Sequence, residues 1–354
     1  MVKLRKSSIT KLICIAMVLV LMLASFSGCG KKKEEPTTTI PTTQATTLPP
    51  PPAIVNPLTG EVDYPEALIG NRSVLVSVEN HPQARPQWGI ASADIVWELL
   101  AEGGITRMLC MFADASRLPD KIGPTRSTRH YFVELAEGFD SIFVHFGGSP
   151  QGYKALNNQG TDHIDGMSDN YFKRDKSRNV DSEHTAYTTR DSILKAIEDK
   201  DFRTEAESQE KAKPFKFNEA AKTLPDGTCT GVSVPFSSSF TYKYTYDADK
   251  KVYLSSLNGN AFKDDNGTQQ SFTNIIIVFS STSMIDSKRI AYDLSKGEGV
   301  YISNGTYQNI KWEKGDYTDI MKFYDLEGNE LSLNPGRSYI ALVPTKNQSQ
   351  TTIS

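Results

Sequence analysis

Asp94-Ile95-Val96-Trp97-Glu98-Leu99-Leu100-Ala101-Glu102-Gly103-Gly104-Ile105-Thr106-Arg107-Met108-Leu109-Cys110-Met111-Phe112 sets two apolar runs on either side of Glu102-Gly103-Gly104. Gly-Gly between apolar runs is a hairpin signal, because the favoured tight turns need positive φ, which glycine adopts without steric cost. With Gly103 and Gly104 as a two-residue turn, Glu102 pairs with Ile105, Leu100 with Arg107 and Glu98 with Leu109. The strand period of two then puts Glu98, Glu102 and Arg107 on one face, with Arg107 in reach of both carboxylates. Such a cluster among Ile, Leu and Met is costly to bury unpaired. It is either an ion pair that pins the hairpin or part of a functional site.

Upstream, Arg72 to Glu79 alternates as a strand, with Val74, Val76 and Val78 on one face. Downstream, Gly123-Pro124-Thr125-Arg126-Ser127-Thr128-Arg129 leads into a stretch where Tyr131, Leu135 and Phe139 recur at helical spacing. That order predicts a helix capped by Thr125 or Ser127 and stopped at Gly138. Arg126 and Arg129 then stand at the positive end of the helix, a conflict that something negative relieves. An anionic ligand does so, and so does internal pairing with Glu98, Glu102 or Asp94.

Asp140 to Phe146 reads as the next strand, followed by Gly147-Gly148-Ser149-Pro150 and a short helix near Tyr153. A strand, glycine loop and helix in this order form a ligand-site geometry, and His145 sits at the strand's carboxyl end. Asp162-His163-Ile164-Asp165 and Glu183-His184-Thr185 lie in polar loops, ahead of a helix from Thr189 to Lys200 capped by Thr188. Arg126, Arg129, His145 and the Gly147-Gly148 loop are expected to line one pocket. The candidate ligand-binding residues are Glu98, Arg107, Arg126, Arg129, His145, Gly147, Gly148, Ser149 and His184.

Between about Lys200 and Lys216 the chain turns highly charged. Beyond it come short runs rich in Tyr, Phe, Val and Ile, punctuated by Leu257-Asn258-Gly259, Asp265-Asn266-Gly267 and Glu327-Gly328-Asn329. This reads as antiparallel β structure. The expected class is therefore α+β, with an N-terminal mixed α/β domain around a central sheet (56–205), a C-terminal, mainly antiparallel β domain (206–346) and a polar tail (347–354).

At the other end, Lys3, Arg5, Lys6 and Lys11 precede an apolar run from Leu12 to Phe26 that closes in Ser27-Gly28-Cys29. A basic region, an apolar stretch of about 15 residues and small residues before a cysteine resemble a bacterial lipoprotein signal, 1–29, with the lipid on the Cys29 thiol. Residues 30–55, dominated by Thr and Pro, read as an extended tether. The expected location is the extracytoplasmic face of the cell membrane, held by the lipid anchor.

A net charge of -3 gives no basic footprint for nucleic acid. Of four cysteines only Cys110 and Cys229 lie beyond the signal and its acylated Cys29, too few for a disulfide framework. Neither a metal-spacing cluster nor a Gly-rich nucleotide motif occurs, so no metal and no cofactor is expected.

Asn56-Pro57-Leu58-Thr59-Gly60, Val78-Glu79-Asn80, Ala93-Asp94-Ile95-Val96, Glu102-Gly103-Gly104-Ile105-Thr106-Arg107, Gly123-Pro124-Thr125-Arg126-Ser127 and His145-Phe146-Gly147-Gly148-Ser149 together resemble the YerB-like lipoproteins. Gly299-Val300-Tyr301, Ile310-Lys311-Trp312 and Leu333-Asn334-Pro335-Gly336 extend the resemblance through the second domain. It implies an envelope location and a two-domain organisation, and it supplies no catalytic residue. Two functional classes stay open. One is a non-catalytic envelope module that binds an anionic cell-wall glycan or a partner protein. The other is a cell-wall hydrolase or transferase with Glu98 and Glu102 as acid and base and His145 in support.

Overall fold

The computed structural model describes residues 54–62 and 64–354. The lipoprotein signal, Cys29 and nearly all of the tether lie outside the described residues. Among those described, no helix is long and apolar enough to cross a membrane.

The N-terminal part is built from β1 (Val74–Glu79), β2 (Ile95–Leu100), β3 (Thr106–Phe112), β4 (Ile142–His145) and β5 (His163–Asp165). Its helices are α1 (His130–Gly138), α2 (Pro150–Gln159) and α3 (Arg190–Asp199). The C-terminal part contributes β6 (Gly231–Ser237), β7 (Phe240–Asp247), β8 (Val252–Leu257), β9 (Asn274–Ser280), β10 (Lys296–Ser303), β11 (Thr306–Glu313), β12 (Lys322–Tyr324) and β13 (Ser338–Pro344). The class is α+β, with a mixed sheet in the first part and mainly antiparallel pairing in the second.

Strands of both parts join in one sheet, ordered β12-β11-β10-β9-β13-β2-β3-β1-β4-β5. The joint is β13, which runs parallel to β2 on one side and to β9 on the other, so that Ser338 lies level with both Ile95 and Asn274. All seven residues of β13 and all six of β2 are buried. Strands covered on both faces read as continuous apolar runs, which is why β2 does not alternate. α1 covers one face, with Phe139 against Trp97 at 5.4 Å between ring centroids and the Tyr131 hydroxyl donating to the Leu100 carbonyl at 2.8 Å. A second sheet made of β6, β7, β8 and short flanking strands covers the other, bringing Tyr244 to 4.9 Å and Phe272 to 5.4 Å from the Tyr339 ring. Each of these buried aromatics contributes on the order of 2–3 kcal/mol. The stretch 347–354 ends in a strand, Thr352–Ile353, that pairs with Ser233 and Val232.

The β2–β3 hairpin forms, but one residue out of the expected register. Glu102–Gly104 is a three-residue loop closed by the Ala101 amide on the Ile105 carbonyl at 2.7 Å, with Gly103 at φ 66° and Gly104 at φ 73°. Leu99 therefore faces Arg107, and Glu98 faces Met108. A slip of one residue reverses the faces. Glu98 turns toward the second sheet while Arg107 turns toward the α1 side, so the expected pairing of Arg107 with Glu98 does not form. The pairing with Glu102 does, at 3.6 Å.

Two local readings also shift by a residue or more. Arg129, in extended conformation, occupies the N-cap of α1 without a side-chain cap, in place of Thr125 or Ser127. Thr189, not Thr188, caps α3 through the Ser192 amide.

Candidate functional site

A cleft of about 510 Å³ opens where β1 ends and β3 begins, bounded by the Glu102 loop, the segment before α1 and the turn Ser182–His184. That volume falls within the small-molecule range, roughly 300–1,000 Å³. Its polar lining includes Glu79, His81, Glu102, Arg107, Arg126, Asp181, Glu183 and His184.

Strand register builds the floor. Glu79 ends β1 level with Arg107 of β3, on the same face. The Arg126 amide donates to the Ser77 carbonyl at 2.9 Å, which draws its side chain over β1. Arg126 Nε lies 3.0 Å from Glu79 Oε1, and Arg126 Nη2 donates to Glu183 Oε2 at 2.6 Å. His184 Nδ1 contacts Glu79 Oε2 at 3.0 Å, and its ring stacks on His81 at 4.4 Å and 6° between planes. Arg107 Nη1 donates to the Ser127 carbonyl at 2.8 Å. Arg129 approaches from behind and grips Glu102 with Nε, at 2.5 Å, and with Nη2.

Charge follows from these contacts. The hydrogen bond from Arg126 holds the Glu183 carboxyl below its usual range. Burial works to raise the Glu102 carboxyl, but the Arg129 hydrogen bond and the charges of Arg129 and Arg107 outweigh it and hold it low. Burial, and then the neighbouring Arg129 charge, push Arg107 down to about 10, which leaves it cationic at neutral pH. Burial and the His184 ring lower His81. The cleft thus presents ionised guanidiniums and carboxylates together.

Of the residues anticipated from sequence, Arg107, Arg126 and His184 line this cleft, and Arg129 supports it through Glu102. The others lie elsewhere. Glu98 is fully buried on the opposite face of the hairpin, where Asn80 donates at 2.9 Å, Tyr339 donates at 2.9 Å and Thr106 donates as well. Burial pushes its carboxyl up to about 7. His145 is fully buried, bonded to the Gly147 carbonyl at 2.8 Å and to His163 at 3.0 Å. Burial pushes it down to about 4. Gly148 is small because a Cβ there would meet Thr128 Cγ2 at 2.8 Å and the Tyr153 ring just beyond; its neighbour Gly147 donates to Asp165 at 2.7 Å. Ser149 caps α2 through the Gly152 amide at 3.0 Å. The glycine loop is therefore a packing device, and the expected common pocket of Arg126, Arg129, His145 and the Gly147-Gly148 loop does not form.

Glu79, His81 and Glu183 were not among the anticipated residues. Glu79 had a signal: with Val74, Val76 and Val78 on one face of β1, the alternation leaves a lone carboxylate on the other. His81 and Glu183 had none, because their partners are distant in sequence. Among the described residues, no group of His, Cys, Asp and Glu has the arrangement to hold a metal ion.

Two family models cover most of the described chain: the N-terminal domain of a protein of unknown function, DUF3048, over residues 58–203, and the DUF3048 C-terminal domain over residues 232–340. This chain belongs to the DUF3048 family. A relative from Bacillus subtilis (strain 168), named "Putative lipoprotein YerB", is 35% identical over 299 residues, covering 81% of this chain and 86% of the relative. The crystal structure of YerB protein from Bacillus subtilis matches with a TM-score of 0.74 at 33% identity, over 85% of this chain and 99% of that one. The DUF3048 architecture is thus two sequence modules, and in this member they share a sheet through β13.

Proposed function

We propose that this chain is a membrane-anchored lipoprotein of the cell envelope and that its N-terminal cleft is a non-catalytic binding site for an acidic group of an envelope glycan. The anchor rests on the Cys29 signal and on the relative's name. The observation that carries the binding reading is Arg107. Its side chain is buried, it lines the cleft, and its Nη2 has Glu102 only at 3.6 Å, beyond hydrogen-bond distance. A guanidinium desolvated to this degree and left with an open donor suits a ligand acid.

The hydrolase or transferase reading in its expected form lacks support from the geometry. Glu98 and Glu102 do not face each other across a cleft, since Glu98 lies buried on the other face of the hairpin. His145 has both ring nitrogens engaged away from the cleft.

Calorimetric titration of N-acetylmuramic acid, a sugar carboxylate, into the full chain in detergent tests the binding reading. Binding is expected for the parent, weakened about tenfold or more in Arg107→Lys, which keeps the charge and loses the fork. A parent that takes up no acidic sugar overturns it.

A further inference from the structure

Four carboxylates, Glu79, Glu102, Asp181 and Glu183, line the cleft against two guanidiniums, Arg107 and Arg126. Counting Arg129, which holds Glu102 from behind, the cleft is one negative charge in excess when its imidazoles are neutral. A ligand that is only anionic gains the open donor of Arg107 but meets net repulsion from the rest. Two groups keep binding capacity that the protein itself does not use. Arg107, 8% exposed, has in Nη2 a guanidinium nitrogen that makes no hydrogen bond among the described residues, with Glu102 Oε2 at 3.6 Å. Asp181, exposed at the rim, forms no ion pair among the described residues. Nearby, Glu183 is half exposed, and Arg126 is its one strong partner. The open donor calls for an acid, and the acidic rim calls for a cation.

We infer that the ligand is a zwitterion: an amino-sugar acid whose nitrogen carries no acyl group. Its carboxylate meets Arg107 on the floor, and its ammonium meets Asp181 and Glu183 at the rim. The ligand then enters with no net charge and satisfies both groups that the fold leaves open. This assignment rests on the binding reading of the same cleft and narrows its ligand class.

The test uses three sugars on one pyranose scaffold: muramic acid carries both charges, N-acetylmuramic acid only the carboxylate, and glucosamine only the ammonium. Each is titrated into the full chain and into Glu183→Gln, an exposed position whose replacement preserves shape. Muramic acid is expected to bind the parent at least tenfold more tightly than either of the others. In Glu183→Gln, muramic acid should weaken several-fold while N-acetylmuramic acid tightens, since lost attraction for the ammonium and lost repulsion of the acid have opposite signs. A general structural defect weakens both together. If N-acetylmuramic acid binds the parent as tightly as muramic acid, the zwitterion assignment falls and the acid-binding reading stands. If glucosamine binds best, or none of the three binds, both fall.

Discussion

The Tyr339 hydroxyl donates to Glu98 Oε2 at 2.9 Å, across 241 positions of sequence. Glu98 belongs to β2 of the N-terminal module and Tyr339 to β13 of the C-terminal module, so the bond sits on the seam between them. Tyr242 joins the same group through Asn80, whose amide nitrogen reaches both the Tyr242 hydroxyl, at 2.8 Å, and Glu98. A buried carboxylate thus ties the second sheet to the hairpin whose far face floors the cleft.

Glu98 makes stability depend on pH. Burial raises its carboxyl from an ordinary 4.5 to about 7. Between those values the folded protein keeps a proton that the unfolded chain has released, so this group's contribution to stability falls as pH rises through the window. A shift of this size corresponds to about 3 kcal/mol. Glu98→Gln removes the titration, and its stability should therefore climb more steeply than the parent's between pH 4.5 and 7. Urea melts across that range read the difference; parallel curves would show that Glu98 does not titrate there.

His145 acts in the opposite sense. Burial lowers it from 6.5 to about 4, so between those values the unfolded chain binds a proton that the folded protein refuses. Its contribution is full above pH 6.5 and is lost as pH falls toward 4, again by about 3 kcal/mol. His163 and His130, lowered chiefly by burial, add to the same trend. His145→Gln should be less stable at pH 7 but lose less between pH 6.5 and 4 than the parent does. Thermal midpoints at pH 7 and pH 5 measure this, and an unchanged slope would rule it out.

Arg126→Ala should destabilise the fold as well as the cleft. Glu79, with 6% of its side chain exposed, would keep only His184 as an ion-pair partner among the described residues. Breaking a fully buried pair costs roughly 3–5 kcal/mol, and the partial exposure of Arg126 lowers the expectation to about 2 kcal/mol. A double-mutant cycle with Glu79→Gln should give a coupling above about 0.5 kcal/mol. Additive single effects would mean that the pair contributes nothing.

Two glycines with similar backbone should respond unequally to Ala. Gly103, at φ 66°, has nothing within 4 Å of a built Cβ, so only the strain of positive φ applies, about 1–2 kcal/mol. Gly89, at φ 74°, would place its Cβ 2.4 Å from the Lys121 carbonyl oxygen and Pro119 Cγ, so a clash adds to the strain, for a total of about 3 kcal/mol or more. Gly103→Asn should recover most of the loss, because Asn tolerates this conformation. Equal midpoints for the two Ala variants would contradict this reading.

Sequence alone reached the features whose causes are local. Two apolar runs about Gly103-Gly104 specify a hairpin, Tyr131, Leu135 and Phe139 at helical spacing specify α1, and Ser149-Pro150 opens α2, because each depends on residues within a turn or two of one another. The β-rich second half and the α+β class follow from the same kind of signal. Register was beyond it. Whether Glu102 closes the turn or lies within it is a difference of one residue, small in local energy, yet it decides which face Glu98 and Arg107 occupy. Only burial of that whole face against the second sheet selects between the two. Likewise nothing near Arg126 in the chain names Glu79 or Glu183 as its partners, and nothing near Glu98 names Tyr339. Those pairings exist because β13 inserts beside β2 and because the turn Ser182–His184 folds back over β1. They are long-range contacts selected by packing of the whole sheet, and so tertiary structure alone decided which charged residues share the cleft and which are sealed beneath it.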